Sequence, residues 1–325
     1  MTCYFPIPAW KSRDLADTCS KTKKTKLVFK SELGLKSTAL EIPCGQCIGC
    51  RIDRSREWAI RCVHEASMHD ENCFLTLTYA KDPVSLNKRD IVLFLKKLRK
   101  KLEPTKIRYF QCGEYGSKTD RPHHHVLLFG YDFPDKVFMS QKNRNNYYVS
   151  RSLADLWPHG MHAIGDLTYD SACYTARYIL KKMNGDQKES HYGDKIPEFT
   201  TQSRKPALAT TWLQENLMDI YNHDQCVVSH NLIARPPKYY DRLYDQLHPD
   251  RLKTLKAERR SRALSNPENC EERRRVKEKI AQIKTKKLPR PLESGEINTD
   301  TEVSEWLPPT ADPSRVTSAQ QTKKT

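Results

Sequence analysis

The sequence predicts an α+β fold, an antiparallel sheet with helices on one face. Three observations carry this. Apolar residues recur at helical spacing in two stretches, 55–69 and 88–102. Bulky apolar residues alternate with Thr over 73–79, a strand pattern. Two further strand-like runs, 107–112 and 123–129, flank a polar turn rich in Gly, Ser and Asp, which makes a hairpin at the centre of the order.

Residues 1–54 read as irregular, with lysines at 21, 23, 24, 26 and 30 and a cysteine cluster. Trp58, Cys62, Val63 and Ala66 then space as an amphipathic helix. The strand over 73–79 ends at Asp82-Pro83. Ile91, Leu95, Leu98 and Leu102 form the apolar stripe of the helix over 88–102, and lysines and arginines cover its other faces. The hairpin strands follow and bring Glu114 near the run His123-His124-His125. A short helix over 151–157, a strand over 161–167 and a helix over 171–183 complete the core, with Asp170 or Ser171 expected as N-cap. The expected organisation is an N-terminal region 1–54, a main domain 55–215, a basic helical extension 216–290 and a disordered tail 291–325. Residues 251–290 carry 15 Lys and Arg against 5 Asp and Glu.

The chain of 325 residues holds 56 Lys and Arg against 40 Asp and Glu, a formal net charge of +16. That excess favours a polyanionic partner, and nucleic acid is the first candidate. No apolar run has the roughly 18–20 residues a membrane helix needs, and the N-terminus does not read as a secretory signal. The 11 scattered cysteines do not resemble a disulfide framework and fit a reducing cytoplasm.

Side chains alternate faces along a strand, so His123 and His125 point one way and His124 the other. Two imidazoles and the carboxylate of Glu114 make a metal site with open positions, suited to Zn, Mn or Fe by ligand type and to Mg or Mn if a phosphodiester adds hard oxygens. On a helix, Tyr174, Tyr178 and Lys182 fall at i, i+4 and i+8, each step turning about 40° and rising about 6 Å, so they share a face. Arg177 and Lys181 follow the two phenols by three residues. Nearby cations and a metal favour the phenolate and make a nucleophile. A metal that polarises a phosphate and a tyrosine that attacks it together retain the bond energy as a protein–DNA link. Cys44, Cys47 and Cys50 have metal-ligand spacing, a candidate structural zinc site whose fourth ligand is Cys3, Cys19 or His64.

With these motifs in view, the chain resembles the rolling-circle replication initiators of Microviridae phages, most closely the gokushovirus type, among the HUH endonucleases named for a His–hydrophobic–His motif. Phe74-Leu75-Thr76-Leu77-Thr78-Tyr79, then Gly113-Glu114-Tyr115-Gly116 through Arg121-Pro122-His123-His124-His125, then Tyr174-x-x-x-Tyr178-x-x-Lys181-Lys182 match the family motifs in order. Pro43-Cys44-Gly45-Gln46-Cys47-Ile48-Gly49-Cys50-Arg51 is similar to the gokushovirus N-terminal region. The likeness covers about residues 40–215, and His124 departs from the usual apolar middle position. The resemblance implies a ferredoxin-like core, Tyr174 and Tyr178 as alternating nucleophiles, and His123 and His125 as ligands of Mg or Mn. Glu114 or Gln111 would be the third ligand, and Lys181 or Lys182 would orient the phosphate or balance the phenolate. It also implies an enzyme that nicks viral origin DNA in the double-stranded replicative form and later rejoins the strand to release circular single-stranded DNA. That work falls in the cytoplasm of the bacterial host, with a host helicase and host DNA polymerase. No Gly-x-x-x-x-Gly-Lys loop is present, consistent with strand separation by another protein. The competing readings are a plasmid- or transposon-type nickase, a non-catalytic nucleic-acid-binding module on the same sheet and a zinc-dependent regulator.

Overall fold

The computed structural model describes residues 3–14, 18, 25–81, 83–116, 119–142, 145–177, 187–229 and 231–286. The tail expected over 291–325 lies outside them. The chain folds as two compact units. One is formed by Met1–Arg54 with Pro249–Leu288, the other centres on Ser55–His248.

The N-terminal region is not irregular throughout, as the sequence suggested. Strands β1 (Ile7–Lys11), β2 (Leu27–Val28) and β3 (Leu40–Ile42) pair antiparallel in the order β2-β1-β3. These strands are two to five residues long and mostly exposed, too short for alternation to register. Helices α8 (Pro249–Ser265) and α9 (Glu271–Lys286) belong to the same unit.

Helix α1 (Ile48–Ala66) begins in the smaller unit and continues into the larger from Ser55, where β4 (Asn72–Thr78), α2 (Lys88–Leu102), β5 (Arg108–Tyr115) and β6 (Pro122–Phe129) follow in the expected order. A hairpin not foreseen, β7 (Lys136–Lys142) and β8 (Asn145–Ser150), precedes α3 (Arg151–Leu156), β9 (His162–Asp166) and α4 (Tyr169–Arg177). After these come α5 (Gln187–Tyr192), β10 (Phe199–Gln202), α6 (Thr210–His223), the small hairpin β11 (Cys226–Ser229) and β12 (Leu232–Ala234), and α7 (Lys238–Leu247). Among the described residues, seven strands form one antiparallel sheet in the order β10-β5-β6-β4-β9-β8-β7. The α+β class with a large antiparallel sheet is therefore as the sequence indicated.

The helices cover both faces of this sheet rather than one. All eight residues of β6 are buried, so neither of its faces can be left to water. Val126 and Leu128 point to a cluster with Ile91, Phe94, Leu95 and Leu98 of α2 and Leu153 and Leu156 of α3. Leu127 and Phe129 point the other way, to Ala59 and Cys62 of α1 and Ala172 and Ala176 of α4. Burial of that size is worth about 25 cal/mol per Å² of apolar surface and holds the central strands rigid.

Local signals set the helix ends. The Asn87 side chain accepts from the Arg89 N–H and caps α2. On α4 the cap is Thr168, not Asp170 or Ser171. The Thr168 hydroxyl accepts from the Ser171 N–H (3.2 Å) and the Ser171 hydroxyl accepts from the Thr168 N–H (2.8 Å), a reciprocal capping box. The helix starts at Tyr169, so the residues proposed as caps already lie in its first turn.

Candidate active site

The β5–β6 hairpin brings together three residues that could hold a metal ion. Its register sets Glu114 opposite His123 and Cys112 opposite His125. Strand alternation then puts Glu114, His123 and His125 on the face shared with α1 and α4. Glu114 Oε1 lies 2.7 Å from His123 Nε2 and 3.2 Å from His125 Nε2. One ligand atom from each residue falls within 4.8 Å of the others, and all three side chains are buried. The second ring nitrogens hold the imidazoles in place. His123 Nδ1 donates to the Arg121 carbonyl at 3.1 Å, and His125 Nδ1 meets the Thr76 hydroxyl at 3.0 Å. A carbonyl only accepts, so His123 carries its Nδ1 proton there and presents Nε2 to the centre. Burial pushes the Glu114 carboxyl up, but the charge and hydrogen bonds of His123 and then His125 outweigh it and hold the group well below the usual carboxylate range. A permanent anion between two fixed nitrogens is a chemically sound donor set for a divalent cation.

His124 turns to the opposite face, as alternation required. The Tyr79 hydroxyl donates to Asp90 Oδ2 at 3.0 Å and its oxygen accepts from His124 Nε2 at 3.1 Å. Burial pulls His124 down to about 3, so it is neutral. Gln111 shares that opposite face and donates to the Thr201 hydroxyl on β10 at 2.8 Å. It cannot join His123 and His125, which leaves Glu114 as the third group of the cluster.

Tyr174 comes from α4, whose buried side is Ala172, Tyr174, Thr175 and Ala176. Its ring stands edge-on to the His125 ring, centroids 5.0 Å apart, and edge-on to Phe74 at 6.2 Å. The Arg177 guanidinium lies 5.6 Å from the Tyr174 ring centre. The expected partners Tyr178, Lys181 and Lys182 lie outside the described residues.

Thr76 and Arg121 were not singled out from the sequence. Thr76 faces His125 across the β4–β6 pairing, a relation that needs the register and not the residue alone. A second convergent cluster joins Cys44, Cys47 and Cys50 to Cys3. Of the other candidates for that place, His64 is engaged elsewhere, with the Tyr240 hydroxyl at 2.7 Å and the Val227 carbonyl at 2.9 Å, and Cys19 lies outside the described residues.

The profile of a replication-associated protein family, of the ORF2 and gene-2-protein type, matches residues 72–183, which contain the ligand trio and Tyr174. Replication-associated protein VP4 of Bdellovibrio phage phiMH2K is 34% identical over 238 residues, 69% of this chain and 74% of its own length. Replication-associated protein ORF2 of Spiroplasma virus 4 is 34% identical over 218 residues, 62% of this chain and 67% of its own. Replication-associated protein ORF4 of Chlamydia phage 1 is 33% identical over 159 residues, 46% of this chain and 40% of its own. No solved structure matches.

Proposed function

The chain belongs to the Microviridae-type family of phage replication-associated proteins, and from that premise we propose that it is the nickase and strand-transferase of rolling-circle replication. The observation that carries this reading is the ring of Tyr174 standing 5.0 Å from that of His125, on the sheet face that holds Glu114 and His123. A nucleophile and a cation-binding centre on one face suit attack on a phosphodiester.

Glu114, His123 and His125 would hold Mg or Mn, which supplies positive charge to the non-bridging oxygens of the scissile phosphate. One phenol of the pair Tyr174 and Tyr178 gives its proton to solvent and attacks phosphorus. A bond forms between the tyrosine oxygen and phosphorus, the bond from phosphorus to the 3′-oxygen breaks, and that oxygen takes up a proton. The strand is left with a 5′-phosphotyrosine link and a free 3′-hydroxyl primer. The other tyrosine performs the later cleavage, and the new 3′-hydroxyl attacks the first phosphotyrosine, freeing that tyrosine and closing the circle. Lys181 and Lys182 balance the phosphate and phenolate charge. The substrate is origin DNA of the replicative form and its displaced strand, bound chiefly through phosphates. Among the described residues no helix is long and apolar enough to cross a membrane. The reading sets the enzyme in the bacterial cytoplasm beside a host helicase and polymerase.

The test is a covalent-adduct assay on single-stranded origin DNA with Mg or Mn, followed by denaturing electrophoresis. The protein–DNA band is expected to survive Tyr174→Phe or Tyr178→Phe alone and to vanish in the double variant. A full-strength band in the double variant refutes the assignment.

A further inference from the structure

The nicking chemistry leaves the four-cysteine cluster without a role. Cys3, Cys44, Cys47 and Cys50 bring their sulfurs within 4.8 Å of one another. Cys47 and Cys3 are 3.9 Å apart. Four sulfurs around one zinc at about 2.3 Å stand about 3.8 Å from each other, so this edge already has tetrahedral length.

Backbone N–H groups point at the sulfurs. Cys44 N–H donates to Cys3 Sγ (3.3 Å), Cys47 N–H to Cys44 Sγ (3.3 Å) and Tyr4 N–H to Cys47 Sγ (3.4 Å). These donors suit thiolates, whose charge they share. Gly45 makes the turn between Cys44 and Cys47 at φ +75°, a conformation that residues with a side chain rarely adopt. Cys50 sits in the first turn of α1, where burial pushes its thiol up.

The surroundings explain why such a site is needed. Among the described residues of the smaller unit, the buried apolar side chains are Cys3, Tyr4, Ala9, Leu252 and Leu255 alone. Phe5, Phe29 and Leu33 are each about half exposed. A segment with so little core relies on a staple.

We propose that Cys3, Cys44, Cys47 and Cys50 bind one zinc ion as a closed, four-thiolate structural site that ties the chain start to the first turn of α1. Binding displaces any thiol protons to solvent and changes no oxidation state. Zinc fits better than a hard cation, because soft thiolates select it. With all four positions filled by protein the ion has no open site for water or DNA, so its role is folding and not cleavage.

The experiment uses the full chain carrying His123→Ala and His125→Ala, so that metal at the Glu114 centre does not enter the count. The protein is purified under reducing conditions without chelator and its metals are measured by mass spectrometry. One zinc per chain is expected, falling to near zero with Cys3→Ser or Cys47→Ser and unchanged with Cys270→Ser. Because a cysteine variant can fail to fold, a second readout uses the unaltered cysteines. Cobalt replacing zinc is expected to give the intense sulfur-to-cobalt charge-transfer and visible bands of a tetrahedral thiolate site. Stripping the zinc is expected to expose the first fifty residues to protease while a fragment from the larger unit persists. Absence of zinc, iron in its place, a disulfide between any two of these cysteines, or cobalt spectra lacking the thiolate bands would each overturn the proposal. None of these outcomes bears on the tyrosine chemistry, which the adduct assay tests separately.

Discussion

Thr76 is the residue on which the geometry of the cation site turns most quietly. Its hydroxyl meets His125 Nδ1 at 3.0 Å and sets the ring that faces Glu114 and Tyr174. Thr76→Val keeps the shape and removes the partner. Loss of such a supporting hydrogen bond costs about 10–100-fold in metal affinity or activity. The Mn concentration for half-maximal adduct formation should therefore rise at least about 10-fold, with DNA binding unchanged; no rise means His125 is not a ligand or is not oriented by Thr76. The buried histidines off the site make a second residue-scale prediction. Burial pulls His64 and His162 to about 4 and His124 to about 3, from 6.5. His162 Nε2 accepts from the Ser150 N–H, and protonation there removes the acceptor. These groups bind protons more readily unfolded than folded. Their stabilising effect is full above pH 6.5 and is lost as pH falls towards 4, by about 1.4 kcal/mol per pH unit for each. Tm measured from pH 7 to 4 should drop steadily through that window, and a flat profile refutes the neutral assignments.

Elements were legible in the sequence where a periodicity met a buried face. The α2 stripe and the β4 and β6 runs are of this kind, and α2 spans Lys88–Leu102 as its stripe indicated. The shared face of His123 and His125 was legible for the same reason, since alternation alone separates His124 from its neighbours. The β7–β8 hairpin was not, because β7 is exposed at nearly every position and has no apolar face to alternate. Covering of both sheet faces was hidden too, as a continuous apolar run does not say what packs on it. The fourth cysteine was undecided because Cys3 and Cys44 are 41 residues apart and only the fold joins them. Gly160 shows how tightly the core elements are fitted. It precedes β9 beside the end of β4, where Thr78 N–H donates to Met161 O and Ala80 N–H to His159 O. A Cβ there would stand 2.4 Å from Ala80 N and 2.6 Å from Thr78 O. Both are backbone atoms that cannot swing aside. Gly160→Ala should destabilise by about 2 kcal/mol or more, read as a lower urea midpoint; a midpoint equal to wild type would show that β9 has room to shift.

At the scale of the whole molecule, the +16 charge predicts salt-sensitive affinity for nucleic acid. Lys253, Lys256 and Arg260 of α8 are exposed. If they contact phosphates, replacing all three with Gln should flatten the slope of log K against log salt by up to about 3 on duplex DNA, at about 0.9 per contact. An unchanged slope would make α8 a solvated helix with no part in binding. The adduct band at low salt is expected to remain in either case.

The hairpin that carries Glu114 and His123, nine residues apart, also sets an order of events during synthesis. Thr76, Glu114, Arg121, His123 and His125 all emerge from the ribosome about fifty residues or more ahead of Tyr174. At about 5–20 residues per second that interval lasts roughly 3–10 s. For that time the nascent chain has the residues proposed to hold the cation and lacks the proposed nucleophile. If the proposed chemistry holds, a growing protein tethered among nucleic acids would be able to hold a metal before it could break a strand.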